Sequence, residues 1–406
     1  MKMLAFKLGL GVIVAVVSIH NASADPVTLQ VWAQDEISHY TQVLTRDFEA
    51  KNPDIRIDLK LINFADVEND AIRAAATNTA PDVSQIDNPQ VATFASHNLL
   101  LDLGPFVANS KVIHREDFYP GPLTNATWQD RLYAIPRGAN TIALFYNADM
   151  FRAAGLNPDA PPKTWDELYT VARKLTDPAA HRYGLAYSAV ATEEGTFQFL
   201  PFAQTAGGDF DHLDNPGTVR ALEFWQKLLD EKIVSNDVLV WGQVDLMASF
   251  RAQNVAMAIS GPWELPTLDR EAKFDWRVAM LPVEKEGSPR ASALGEHAYG
   301  VFKSSKHPQE AFRLLEYFIS QQGRNWNEFG ILPSVKTVTT VNPKWPAAYA
   351  IFAEEVQYAH ARGPSPMWPQ ISKPIQVAIQ TALTHRADAK TALAEAQRHV
   401  DQVLKK

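Results

Sequence analysis

The stretch Val27–Trp32, VTLQVW, alternates apolar and polar residues and is rich in β-branched side chains, so it reads as a half-buried strand. The residues after it decide the fold. In EISHYTQVLTRDFEAKNP, Glu36–Pro53, the residues Ile37, Tyr40, Leu44 and Phe48 fall near helical spacing, and Asn52-Pro53 stops the helix. IRIDLKLI, Ile55–Ile62, alternates strictly and is a second strand. A helix over about 66–77 and a third strand in APDVSQI, Ala80–Ile86, complete the run. Strand, helix, strand, helix, strand predicts a parallel sheet with right-handed crossovers.

The pattern recurs downstream. TIALFYN, Thr141–Asn147, reads as a strand. PPKTWDELYTVARKL carries a capping box, Thr164 with Glu167, and sets Leu168, Val171, Ala172 and Leu175 on one face. YGLAYS reads as a strand, with helices near 195–206 and 217–231. SFRAQNVAMAIS runs from a helix end into a strand, AYGVFKSS is another strand, and the chain beyond Pro308 is mostly helical. The expected fold is therefore α/β with two sheets. The segment Tyr133–Asn140, YAIPRGAN, is short and carries Pro and Gly, which suits a hinge between packed lobes. The cleft between the lobes, outside the carboxyl ends of strands, is the expected site.

Composition sets limits. The 406 residues suit two or three domains, and 46% hydrophobic with 21% charged residues is a globular composition. The start, MKMLAFKLGLGVIVAVVSIHNASADP, has basic Lys2 and Lys7, an apolar run Leu8–Val17 and an Ala22-Ser23-Ala24 cleavage signal. Residues 1–24 are expected to be a cleaved signal peptide, which places the mature chain in a periplasm. There is no Cys, hence neither a disulfide framework nor a lipidation site, and stability must come from core burial. Losing the two leader lysines takes the net charge from −8 to −10. An acidic surface argues against nucleic acid and anionic membranes.

Catalytic and nucleotide-binding signatures are missing: GxGxxG, Walker A, GxSxG, HExxH and an EF-hand loop do not occur. The 11 His are scattered, so neither metal nor cofactor is expected. Asp209–Gly217, DFDHLDNPG, has acids enough for a cation but reads as a polar turn before a helix at Pro216. Ten Trp say more, because Trp32, Trp241, Trp263 and Trp368 sit where elements end. A sugar presents a flat apolar face edged by hydroxyls; an aromatic ring covers the face, and Asp, Asn, Glu, Gln or Arg meet the hydroxyls. SGPWEL, Ser260–Leu265, has that form: a strand end, a Gly-Pro turn, a Trp and an acid.

Six segments together, FEAKNPDIRI, APDVSQID, YAIPRGANTIALFYNADMFRAAGL, PPKTWDELYTVARKLT, FRAQNVAMAISGPWEL and GEHAYGVFKSSKHPQEAFRLLEYF, resemble the extracellular solute-binding proteins of ABC importers, in the maltose-binding-protein-like group. The resemblance covers essentially the whole mature chain. It implies a monomeric two-lobed receptor without enzyme activity that closes on a sugar or glycoside and delivers it to the transmembrane subunits of an ABC permease. The lobes it implies are discontinuous: 25–136 plus about 280–338, and 140–275 plus about 340–406. An anionic glycoside or glycerol phosphate ester is the alternative ligand, and a carbohydrate-active enzyme a more distant one.

Carried over residue by residue, the resemblance assigns ligand contacts to Gln34, Asp35 and Glu36 after the first strand, and to Asp87 and Asn88 after the third. Asp35 could instead cap the next helix. In the hinge it assigns Arg137 and Asn140; the maltose-binding protein has an acid where Asn140 stands, a departure that weakens any maltodextrin reading. In the second lobe it assigns Glu194, Thr196, Phe197, Trp241, Trp263 and Glu264, the last equally able to cap a helix. Glu296, His297 and Trp368 complete the set.

Overall fold

The computed structural model describes residues 25–405; the expected signal peptide lies outside the described residues. Twelve strands occur among them: Val27–Gln34 (β1), Ile55–Ile62 (β2), Val83–Asp87 (β3), Thr127–Trp128 (β4), Arg131–Leu132 (β5), Ile135–Pro136 (β6), Ala143–Asn147 (β7), Met257–Ser260 (β8), Trp276–Ala279 (β9), Ser292–Ala293 (β10), His297–Val301 (β11) and Ala359–His360 (β12).

The first sheet has the order β2-β1-β3-β11-β6. Its β1, β2 and β3 run parallel, with Val27 opposite Ile55 and Val31 opposite Val83, and the helices Tyr40–Lys51 and Val67–Ala76 make the crossovers. This is the strand–helix alternation expected from the sequence. The late strand β11 enters antiparallel to β3, pairing His297 with Asp87. Side chains such as Leu29, Val31, Tyr40, Leu44 and Phe48 form one core with Phe318 and Ile331.

The second sheet departs from expectation. It is β8-β7-β9, and both pairings are antiparallel. Tyr183–Ser188 does not form a strand; it touches Val255 and Ala258 through two isolated parallel bridges. The runs ALFYN and MAIS are buried at every position, so they carry no alternation from which direction could be read. The helices around this sheet follow the sequence closely. Trp165–Leu175 starts with the expected capping box, Thr164 Oγ1 accepting from Glu167 N and Glu167 accepting from Thr164 N. Helices Glu193–Thr205, Pro216–Asp230 and Trp368–Leu383 build a second core around Trp225, which stacks on Tyr187 at 4.0 Å.

The chain passes between the sheets three times: beyond Val335, where it leaves the first core for the helix Pro346–Glu355 against the second sheet, between β9 and β11, and at Arg137–Asn140. There Ala139 bridges to Leu332 and Asn140 to Gly295, so the crossing strands lie side by side. Among the described residues no helix is long and apolar enough to cross a membrane.

Candidate functional site

A cavity of about 100 Å³ lies between the two sheets. One wall comes from carboxyl ends of the first sheet: Gln34 closing β1, Glu36, Ile37 and Ser38 after it, Phe64 after β2, and Asp87 closing β3. The opposite wall comes from the second lobe: Glu193, Glu194 and Phe197 on the first turns of one helix, Gln243 and Val244 on another, and Trp263. Arg137, Asn140 and Gly295–His297 stand at the crossings, and Arg362 follows β12, which pairs with β10. This is where open α/β sheets present ligands.

Trp263 follows β8 through Gly261 and Pro262. The indole folds back over Gly261: a Cβ there would sit 2.0 Å from Cζ3 and 2.1 Å from Cη2 of the ring. Glycine is what lets the ring lie against the backbone beside the cavity. Across the site, Gly295 does the same for Phe197, whose Cζ would be 2.8 Å from an added Cβ.

Two buried charge clusters frame the cavity. Arg137 donates from Nη1 and Nη2 to the two oxygens of Glu36 at 2.6 and 2.8 Å, and from Nε to Glu296. Asn140 Nδ2 holds the other oxygen of Glu296. Burial alone would raise the Glu296 carboxyl, but the charges and hydrogen bonds of Arg137 and His297 together outweigh it and hold the group down at about 2. Glu296 has φ +104, a backbone conformation costly for a residue with a side chain. The second cluster centres on Arg362, which donates to Asp87 at 3.2 and 3.3 Å and to Glu193 at 2.6 Å. Burial pushes the Glu193 carboxyl up, against the pull of Arg362. Glu194 lines the cavity and accepts from Gln243 N at 3.0 Å.

Four residues of the wall carry a buried polar atom with no hydrogen-bond partner among the described residues: Ser38 Oγ, Gln243 Nε2, His297 Nε2 and Arg362 Nε. Leaving such groups unsatisfied costs about 1–3 kcal/mol each. They come from both lobes.

Of the residues expected from the sequence, Gln34, Glu36, Asp87, Arg137, Asn140, Glu194, Phe197, Trp263, Glu296 and His297 meet at this cavity. The others do not. Asp35 is exposed, and it does not cap a helix: the cap position of Tyr40–Lys51 is His39. Asn88 turns its amide to the Gly295 carbonyl at 3.1 Å, and Thr196 bonds Ser372 at 2.9 Å inside the second core. Trp241 packs between the helices of the second lobe. Glu264 is fully buried and takes Arg251 at 3.1 Å. Trp368 is also fully buried, edge-on to Phe210, with Nε1 donating to Glu193 at 3.0 Å. It supports the wall from behind rather than forming it.

Residues missed in the sequence include Ser38, Phe64, Glu193, Gln243 and Arg362. Glu193 carried a usable signal, an acid beside Glu194 in a helix's first turn. The acidic stretch at 209–217 forms a turn, in which Asp209 takes Gln204 and Phe210 N, and Asn215 caps the next helix. Among the described residues no three His, Asp or Glu gather as a metal site.

Two lobes with a polar, aromatic-walled cavity between them define a binding protein that encloses its ligand. Residues 28–325 match the family described as bacterial extracellular solute-binding protein, and the chain belongs to that family. The galactooligosaccharide-binding protein of Bacillus subtilis (strain 168) is 25% identical over 93% of this chain and 89% of its own length. The sn-glycerol-3-phosphate-binding periplasmic protein of Salmonella typhimurium is 25% identical over 82% of this chain and 77% of its own. An ABC transporter solute-binding protein from Thermotoga lettingae, solved bound with α-D-tagatose, superposes with a TM-score of 0.85 at 29% identity, covering 93% of this chain and 100% of that one.

Proposed function

We propose that this chain is the receptor of a carbohydrate ABC importer, acting in the periplasm as a monomer and handing a neutral sugar or glycoside to the membrane permease. The observation that carries the reading is the set of four unpartnered polar atoms, on Ser38, Gln243, His297 and Arg362, residues that line the same cavity as Trp263. Nitrogen donors such as Gln243 and Arg362, with carboxylate acceptors nearby, suit hydroxyls, which donate and accept at once. Trp263 and Phe197 suit the apolar face of a pyranose or furanose ring. Sugar-binding relatives and the tagatose-bound neighbour support the same class. Gln34, Glu36, Asp87, Arg137, Asn140, Glu194, Glu296 and His297 are the further residues we place around the ligand.

An anionic glycoside or glycerol phosphate ester has less support. Both guanidiniums at the cavity are already matched by two carboxylates each, so neither offers the uncompensated charge a phosphate would need.

The test is the thermal midpoint and Trp fluorescence of the mature protein against hexoses, polyols, disaccharides, phosphorylated glycosides and amino acids. A ligand at 100 times its Kd stabilises by about 2.7 kcal/mol. A neutral sugar that raises the midpoint and is recovered unchanged supports a receptor; a product would point to an enzyme. Response to phosphorylated glycosides alone would overturn the neutral-sugar reading.

A further inference from the structure

Arg362 differs from the other polar residues of the cavity in that its partners come from opposite sides of the cleft. It follows β12, whose residues pair with β10. Its Nη1 and Nη2 donate to Asp87, the last residue of β3 in the first sheet, at 3.2 and 3.3 Å. The same Nη1 donates to Glu193 at 2.6 Å, on the helix that fills the second core. Glu193 is itself fixed by Trp368 Nε1 at 3.0 Å and Ser372 Oγ at 2.6 Å. The guanidinium lies over the Phe197 ring, 4.6 Å from its centre. A second bond crosses the same seam, Thr93 Oγ1 to the Pro366 carbonyl at 3.2 Å. Arg362 is 4% exposed, yet its Nε finds no partner among the described residues.

From this geometry we infer that Arg362 couples ligand capture to lobe closure: its terminal nitrogens tie Asp87 to Glu193 across the cleft, and its Nε–H is offered to a ligand oxygen. The inference rests on the proposed reading of this cavity as a sugar site. A guanidinium is planar, so the direction of Nε–H and the directions of the two terminal nitrogens are set together. A ligand oxygen on Nε orients the fork that Asp87 and Glu193 need, and the tie in turn presents Nε to the ligand. Such coupling is reciprocal. It also sets a specificity rule: the ligand needs an acceptor oxygen, from a hydroxyl or a ring, at this position.

The test starts from wild-type mature protein titrated with D-tagatose, D-galactose, maltose and ribitol, and the tightest of these becomes the probe. If these four are silent, the wider panel of hexoses, polyols and disaccharides supplies the probe, and silence across that whole panel would overturn the sugar reading and this inference with it. With a probe in hand, Arg362→Lys and Arg362→Gln are compared with wild type. The Lys variant keeps a cation for Asp87 and Glu193 but lacks the Nε–H and the flat face on Phe197. It is expected to keep a ligand-free midpoint near that of wild type and to lose tenfold or more in affinity. The Gln variant is expected also to lose the compaction that wild type shows by small-angle scattering when the probe is added. A Lys variant that binds within twofold of wild type overturns the inference and leaves the sugar reading intact. So does a Gln variant that still compacts.

Discussion

Arg137 grips Glu36 with both terminal nitrogens, Nη1 to Oε1 at 2.6 Å and Nη2 to Oε2 at 2.8 Å, and both side chains are buried. The contact joins the loop after β1 to the crossing between the lobes. The Nε of the same guanidinium goes to Glu296, and the Tyr40 ring lies 4.9 Å from the guanidinium carbon. The planar fork of arginine suits this two-pronged geometry; a lysine would be a single point of charge.

Removing the cation should therefore be costly. Arg137→Met strips two buried carboxylates of their counter-charge, and breaking a buried pair in this way costs about 3–5 kcal/mol. Denaturant unfolding of the ligand-free protein measures the loss. A variant within about 1 kcal/mol of wild type would show that water or rearrangement replaces the arginine, against the close fit of the pair.

The Glu296 carboxyl gives this cluster a pH signature. Arg137 and His297 together hold it at about 2 in the folded chain, against an ordinary 4.5. A depressed carboxyl stabilises the fold above its unfolded value and loses that contribution as pH falls from about 4.5 through 2. The contribution is on the order of 3 kcal/mol. Unfolding free energies at pH 6 and pH 3 should differ by less in Glu296→Gln than in wild type. Equal acid losses in the two proteins would remove Glu296 as the cause.

Much of this was legible in the sequence where periodicity or capping chemistry was strong. Strict alternation in IRIDLKLI marked β2 at its observed bounds, and Thr164 with Glu167 marked a helix start. The second sheet was harder, because fully buried runs such as ALFYN and MAIS look alike in parallel and antiparallel sheets. At the site, aromatic position was readable and ring direction was not. Trp263 and Trp368 both stand at element starts, but Trp263 borders the cavity and Trp368 turns wholly into the core. Arg362 escaped notice since its partners lie 275 and 169 residues away in the chain, a separation that no local pattern reports.

Glu264 predicts the opposite pH trend. Its side chain is fully buried; Oε2 accepts from Arg251 at 3.1 Å, while Oε1 has no partner among the described residues. Burial outweighs Arg251 and pushes the carboxyl up to about 8, so the folded chain keeps its proton through neutrality. A carboxyl raised in this way leaves the fold most stable below about 4.5, and stability declines as pH rises through 8. Glu264→Gln mimics the protonated form. Its thermal midpoint should fall less than that of wild type between pH 5 and pH 8, and parallel curves would rule Glu264 out.

The turn before Trp263 allows the aromatic wall to be tested without deleting an aromatic residue. Trp263→Ala should weaken sugar binding by roughly 2 kcal/mol or more, as for a buried aromatic anchor, and leave the fold intact because the indole is only half-buried. Loss of area alone could explain that result. Gly261→Ala separates area from placement. Its new methyl would fall 2.0 Å from the indole Cζ3, so the ring must swing off the backbone while every tryptophan remains. Gly261 has φ −111, which alanine adopts readily, so backbone strain does not confuse the outcome. If the ring's seat against Gly261 sets the floor of the cavity, Gly261→Ala loses affinity on the scale of Trp263→Ala. Both losses are read by titration with whichever sugar stabilises the wild type, alongside circular dichroism to verify the fold. Wild-type affinity in Gly261→Ala would mean that the ligand does not rest on this ring.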